Sequence, residues 1–139
     1  MGDREAHLQF ACSRLKLLLA NLRVSSFRDT VPVDVPTSQP TFLNGAAVGE
    51  TRLSADDLLS ALQEIEWARG RERPHRNAPR TLDLDLILFG DCILKGPGLI
   101  VPHPRFRERR FVLDPLAEIA SDLKDPVTGK TVGELLAGQ

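Results

Sequence analysis

At 139 residues and 42% hydrophobic composition, the chain suits one compact domain with a core of its own. A net charge of −1 excludes the broad basic field by which most nucleic-acid binders work. No apolar run reaches bilayer length and the first residues are not those of a signal peptide, so a soluble cytoplasmic protein is expected. Cys12 and Cys92 stand far apart and outside any metal-binding spacing, which predicts free thiols in a reducing compartment rather than a disulfide or zinc site. The charge is unevenly spread: of 18 Lys+Arg, five arginines fall in residues 69–80 and four in residues 105–110.

In chain order, Asp3 can cap a first helix whose apolar stripe is Leu8, Ala11, Leu15, Leu18 and Leu22, with His7 on its surface. Residues 24–27 read as a short strand. Residues 29–40 hold three prolines and no periodicity, hence a loop. Residues 41–50 alternate, with Phe42, Asn44, Ala46 and Val48 on one face and Leu43, Gly45, Ala47 and Gly49 on the other. The small residues admit a close neighbour. Asn44 is either a satisfied structural amide or a hydrogen-bonding group in a site. Ser54 with Asp57 resembles a capping box and opens a second helix, with Leu58, Leu59, Leu62 and Ile65 buried and Gly70 at its end. Glu66 shares register with Leu59 and Leu62, as a boundary residue or as one aimed into a site.

Residues 71–80 carry too much proline and charge for a regular element and read as an arginine loop. Such runs are commonly solvated, but this one leads directly into residues 79–89, which alternate as a strand. Leu82, Leu84, Leu86 and Leu88 take one face, and Asp83, Asp85, Ile87 and Phe89 the other. Two carboxylates on one face of a strand lie about 7 Å apart at Cα. A solvated face is the plainer explanation, whereas a hard cation such as Mg²⁺ would offset their repulsion. The apolar Ile87 and Phe89 on that face favour a site, and guanidinium groups beside it suggest a polyphosphate ligand.

Gly90-Asp91 reads as a turn, residues 93–94 as a short strand and residues 95–98 as a loop. The segment around Pro102-His103-Pro104 is irregular, and His103 is structural or part of a site. Val112, Leu113, Leu116, Ile119 and Ala120 form a third helical stripe, with Pro115 expected near the helix start. Residues 125–129 form a turn, and Thr131 opens a closing helix through Leu136.

The run Ala78-Pro79-Arg80-Thr81-Leu82-Asp83-Leu84-Asp85-Leu86-Ile87 resembles the signature of the 6-hydroxymethyl-7,8-dihydropterin pyrophosphokinase family of folate biosynthesis. Phe42-Leu43-Asn44, Gln63-Glu64-Ile65-Glu66, Gly70-Arg71, Val101-Pro102-His103-Pro104-Arg105, and Arg109 with Phe111 to Ile119 match in order. The resemblance implies a ferredoxin-like α+β sandwich, an antiparallel sheet with helices packed on it. It also implies transfer of diphosphate from ATP to the pterin hydroxymethyl group, releasing AMP. By the same resemblance, Asp83 and Asp85 hold two Mg²⁺ ions, and Phe42, Asn44 and Phe111 bind the pterin. Arg71 and Arg80 act on the phosphates. Gln63, Glu66, Arg73, His103 and Arg109 line the nucleotide, with Arg76 a further loop arginine. Partners are then small molecules, with no nucleic acid or membrane, and the chain is expected to be a monomer.

The family's opening strand and its Gly-Ser-Asn motif do not stand before Met1-Gly2-Asp3. The chain is therefore read as one domain over residues 1–139, shortened at its N-terminus, with the first strand of the sheet absent. A start assigned downstream of the true one accounts for this. The competing readings are an impaired homologue serving as a binding or partner domain, and a nucleic-acid module stacking bases on Phe42 and Phe111.

Overall fold

In a computed structural model the chain is described over residues 4–30, 42–70 and 82–139. The architecture is α+β with antiparallel pairing throughout the described residues, in keeping with the ferredoxin-like class. The Asp3 cap, residues 31–40 of the proline loop and the arginine loop, with Arg71, Arg73, Arg76 and Arg80, lie outside the described residues, whereas Asp29 and Thr30, expected in the proline loop, are strand-paired.

Helix α1 (Arg4–Leu18) buries Ala11 and Leu15 as its stripe predicts. Leu22, expected to extend that stripe, stands instead on strand β1 (Ala20–Val24), which brings it to the same apolar cluster. Asn21 lies within β1, where the strand's register is irregular between Ala20 and Arg23, and its φ of 53° is one that Asn tolerates better than most residues. Its side-chain amide donates to Glu50 Oε2 at 2.9 Å.

Strand β1 pairs with β4 (Ala47–Glu50), and β2 (Arg28–Thr30) with β3 (Phe42–Asn44). The two ladders follow one another along the same two stretches of chain, as one pairing interrupted at residues 25–27. Those residues lie where the sequence predicts a strand. The buried Ser25 explains the difference. Its backbone N–H donates to the Ala46 carbonyl at 2.9 Å, but the Ala46 N–H turns to the Ser25 hydroxyl at 2.8 Å. A side chain has taken the place of a ladder carbonyl, and the regular pattern stops there.

The close approach expected of the small residues is visible at Gly49. A Cβ on Gly49 would stand 2.7 Å from Leu19 Cβ and 3.3 Å from the Ala20 carbonyl oxygen. Neither atom can swing away as a side-chain tip could. Gly49→Ala is therefore expected to destabilise the fold by ~1–3 kcal/mol through overpacking, read as a lowered Tm in thermal unfolding. An unchanged Tm would show that the α1–β1 joint yields freely.

Helix α2 (Ala55–Gly70) starts as read, with Ser54 Oγ accepting the Asp57 N–H at 3.1 Å. Leu58, Leu62 and Ile65 pack against Ala11 and Leu15 of α1. Residues 82–89 run between two apolar layers. Leu82, Leu84, Leu86 and Phe89 face the α1–α2 cluster, while Ile87 and Leu88 join the cluster around Phe106, Leu113 and Val132.

Two expectations for this stretch need correction. The alternation holds from Leu82 to Ile87 and then reverses, so that Leu88 rather than Phe89 shares the side of Ile87. Among the described residues the stretch also joins no ladder. It is fixed by packing on both sides, and a segment with two apolar neighbours at its far end has no solvent face to preserve there.

Strands β5 (Leu94–Gly96) and β6 (Leu99–Val101) form a hairpin around Pro97-Gly98, where Gly98 has φ 84°. Lys95 and Gly96, expected in a loop, are thus paired. A 3₁₀ turn (Phe106–Glu108) precedes α3 (Arg110–Ala120), which buries Leu113, Leu116 and Ala120. Pro115 sits in the second turn of α3 rather than at its start, buried in the same face. A capping box between Thr131 and Glu134 opens α4 (Val132–Ala137). Cys12 and Cys92 are both free, and burial raises the thiol pKa of Cys12.

Candidate active site

Asp83 and Asp85 are both exposed, whereas Leu82 between the helices is buried and Leu84 and Leu86 are half-buried. The alternation therefore does place the two carboxylates on the side away from α1 and α2. Two hydrogen bonds hold their backbone. The Leu84 N–H, between the two aspartates, donates to Glu66 Oε2 of α2 at 2.6 Å. Three residues on, the Ile87 carbonyl accepts the His103 N–H at 2.8 Å. Glu66 and His103 are thus joined to the aspartate segment from opposite sides, one from a helix and one from the loop after β6.

Gln63 lies one turn before Glu66 on α2 and is exposed. The half-buried His103 turns its Nδ1 toward the Arg105 N–H at 3.3 Å, which leads the chain into the 3₁₀ turn. Arg109 stands between that turn and α3, as the residue preceding the helix. The Arg109 guanidinium stands 5.7 Å from the centroid of the Phe111 ring, and Phe111 is 37% exposed. Asn44 is half-buried on β3, paired in register with Arg28 of β2, and β3 lies against α3. Asn44 and Phe111 are in this way carried by adjoining elements. The Phe42 backbone is in β3, opposite Thr30.

Glu118 has no assigned role in the sequence reading, yet it ties this side together. Its carboxylate accepts the Ser26 N–H and hydroxyl, each at 2.8 Å, and the Arg28 guanidinium at 2.7 Å. These hydrogen bonds, led by that from the Ser26 backbone, lower the pKa of Glu118. The strand that pairs with Asn44 is therefore fastened to the helix that carries Phe111. A signal was available in the helical register: Glu118 stands seven residues after Phe111 on one face of α3.

Two clefts lie elsewhere. One, of about 410 Å³, sits at the C-terminal end of α3 beside Arg23. The other, of about 450 Å³, is lined by Ile93, Ile100 and Val127. None of the expected site residues lines either.

Antiparallel pairing with helices packed against it is that of an α+β protein of the ferredoxin-like class, with an exposed carboxylate pair on the segment between its two apolar clusters. The family described as 7,8-dihydro-6-hydroxymethylpterin-pyrophosphokinase (HPPK) matches residues 1–121. The chain belongs to that family.

A Pseudomonas aeruginosa relative named 2-amino-4-hydroxy-6-hydroxymethyldihydropteridine pyrophosphokinase is 52% identical over 102 residues, 73% of this chain and 62% of that protein. Proteins of the same name from Bacillus subtilis and Synechocystis are 42% and 48% identical, over 92% and 70% of this chain. They are covered to 77% and 50% of their own lengths. The chain thus spans about three fifths of the Pseudomonas relative and half of the Synechocystis one.

Proposed function

We propose that this chain transfers the β,γ-diphosphate of ATP to the hydroxymethyl group of 6-hydroxymethyl-7,8-dihydropterin, releasing AMP. The observation that carries the reading is the exposed Asp83/Asp85 pair, held between α2 and the His103 loop in a chain of this family. In the reaction the hydroxymethyl oxygen bonds to the β-phosphorus. The bond from that phosphorus to the α,β-bridging oxygen breaks, AMP leaves with that oxygen, and the hydroxyl proton passes to solvent.

The residues fit a magnesium ion in the chemistry of their donors. Asp83 and Asp85 offer hard oxygen ligands open to solvent, and among the described residues no three His, Cys, Asp or Glu side chains converge on one point. Mg²⁺ is commonly held in this way, by one or two carboxylates with water and phosphate oxygens completing its shell. When bound, it supplies neutralisation of the triphosphate charge. In this reading Asp83 and Asp85 hold two such ions.

The chain's own groups do the rest. Asn44 hydrogen-bonds the pterin between the Phe42 and Phe111 rings, whose faces suit a flat heterocycle. Arg71 and Arg80 grip phosphate oxygens as bidentate donors. Gln63, Glu66, Arg73, His103 and Arg109 line the nucleotide. Positioning and charge neutralisation carry most of a phosphoryl-type transfer, so the absence of a strong base from this set is consistent with it. The reading takes small molecules as the partners of a cytoplasmic monomer, and the near-neutral net charge is in keeping with small-molecule rather than nucleic-acid partners.

The test is chromatographic. The chain, ATP, Mg²⁺ and the dihydropterin should yield AMP and the pterin diphosphate in equal amounts, with neither formed when the pterin is left out. Binding of both substrates without AMP release would overturn the catalytic reading in favour of a binding domain.

A further inference from the structure

The segment bearing the aspartates is unusual in how its backbone is held. A strand within a ladder has its position along the chain direction set by hydrogen bonds to its neighbours. Among the described residues, residues 82–89 join no ladder. Apolar packing fixes which way Leu82, Leu84 and Leu86 face, but packing is non-directional and tolerates sliding. Directional restraint around the aspartates comes from the Glu66 Oε2 contact to the Leu84 N–H at 2.6 Å and the His103 N–H to Ile87 carbonyl contact at 2.8 Å, with the Phe89 carbonyl at the far end accepting the Cys92 N–H at 3.0 Å.

The first of these falls on the residue between the two carboxylates. Consecutive Cα atoms are 3.8 Å apart, so anchoring the Leu84 amide fixes both Asp83 and Asp85 at one bond's remove. Glu66 is itself well fixed. It is half-buried one residue beyond the buried Ile65, on a helix whose Leu58, Leu62 and Ile65 sit in the main core. Its carboxylate reaches the backbone between the two aspartates.

We infer that Glu66 is a positioning residue for the metal site: it holds the Leu84 amide so that the Asp83 and Asp85 carboxylates are presented together on the exposed side of the segment. This rests on the metal role proposed for the two aspartates. The positioning role is read through the reach of the acceptor oxygen to the Leu84 N–H.

Two substitutions separate reach from charge. Gln at 66 keeps the length and an oxygen acceptor for the Leu84 N–H while losing the charge. Asp at 66 keeps the charge but is one methylene too short. The probe is Mn²⁺ with α,β-methylene-ATP, its binding followed by electron paramagnetic resonance. Hydrogen exchange at the Leu84 amide is measured in the same variants. Glu66→Asp should weaken Mn²⁺ binding by 10–100-fold, the usual cost of losing a group that orients metal ligands, and should speed exchange at Leu84. Glu66→Gln should bind Mn²⁺ more tightly than Glu66→Asp and keep exchange at Leu84 slow, as a retained acceptor implies.

The reverse order, with Gln weak and Asp strong, would overturn the inference in favour of a charge contact. Parent-like binding in both variants would overturn it outright. Asp83→Ala and Asp85→Ala serve as controls. If they abolish Mn²⁺ binding while Glu66→Asp does not weaken it, only the positioning role fails. If they leave binding intact, the metal assignment fails and takes this inference with it.

Discussion

Replacing Asp83 or Asp85 with Ala is expected to lower kcat for AMP release by at least roughly 10²–10³-fold, the scale seen when a group that stabilises transition-state charge is removed. The reason is the arrangement of the segment. Both side chains are exposed on a stretch whose other members are tied to the core, and both flank the amide held by Glu66. Either carboxylate alone leaves an incomplete set of oxygen donors for a hard cation. Because the two side chains project to solvent, the loss should come without unfolding, with the circular dichroism spectrum retained and Tm within a few degrees. The double variant should be scarcely worse than either single one, since groups that act as a unit are non-additive. Full activity in both single variants would refute the metal role. Loss of activity accompanied by loss of fold would point to a structural role for the pair instead.

The parts of the molecule that were legible in the sequence are those fixed by short-range pattern. The stripes of α1, α2 and α3 are read from spacing alone, and Ser54 and Thr131 announce helix starts through side chains that cap amides three residues on. The exposure of Asp83 and Asp85 follows from a period of two, which needs no knowledge of what packs against the strand. What failed depended on a distant partner. Residues 25–27 have strand composition, but the Ser25 hydroxyl engages Ala46, 21 residues away, and breaks the ladder. The phase of residues 82–89 reverses at Leu88 because a second apolar layer, around Phe106 and Leu113, lies on the other side. Local alternation cannot report a core on both faces. The same limit explains Glu66: its register on α2 is visible in the sequence, whereas its acceptor role toward Leu84, 18 residues on, is not.

A buried ion pair that the sequence reading passed over should dominate stability. In the sequence Asp125 only opens a turn and Arg107 only belongs to a basic run, yet Asp125 is fully buried and Arg107 grips it in a bidentate manner. The Nε–Oδ2 distance is 2.5 Å and the Nη2–Oδ1 distance 3.0 Å. The Val127 N–H and Thr128 hydroxyl donate to the same carboxylate at 3.1 and 2.8 Å. Arg107 follows Phe106, which has no exposed surface and belongs to the α3–α4 core, so the pair fastens the 125–129 turn to the base of α3. Asp125→Ala removes all four acceptor contacts and strands a partly buried guanidinium. Breaking a buried pair in this way costs about 3–5 kcal/mol. With Arg107 a quarter exposed, the lower end applies. A fall in Tm of about 10 °C is expected.

The pH dependence gives an independent reading of the same contact. The Arg107 hydrogen bond, aided by Thr128 and Val127, holds the Asp125 carboxyl at about 2, below its ordinary value of 3.8. A carboxyl with a depressed folded-state pKa stabilises the protein fully above its unfolded-state pKa, and that contribution is lost as the pH falls through the folded-state value. The window is therefore pH 4 down to 2, and the contribution is about 2 kcal/mol. Unfolding free energies of the parent and of Asp125→Asn, measured between pH 5 and 2, should converge by that amount as the carboxyl is protonated. Parallel curves would show that Asp125 titrates alike in the folded and unfolded chains. The substitution also bears on the site, because the turn containing Arg107 leads through Arg109 to Phe111. Asp125→Ala should thus raise KM for the pterin at temperatures well below its own Tm.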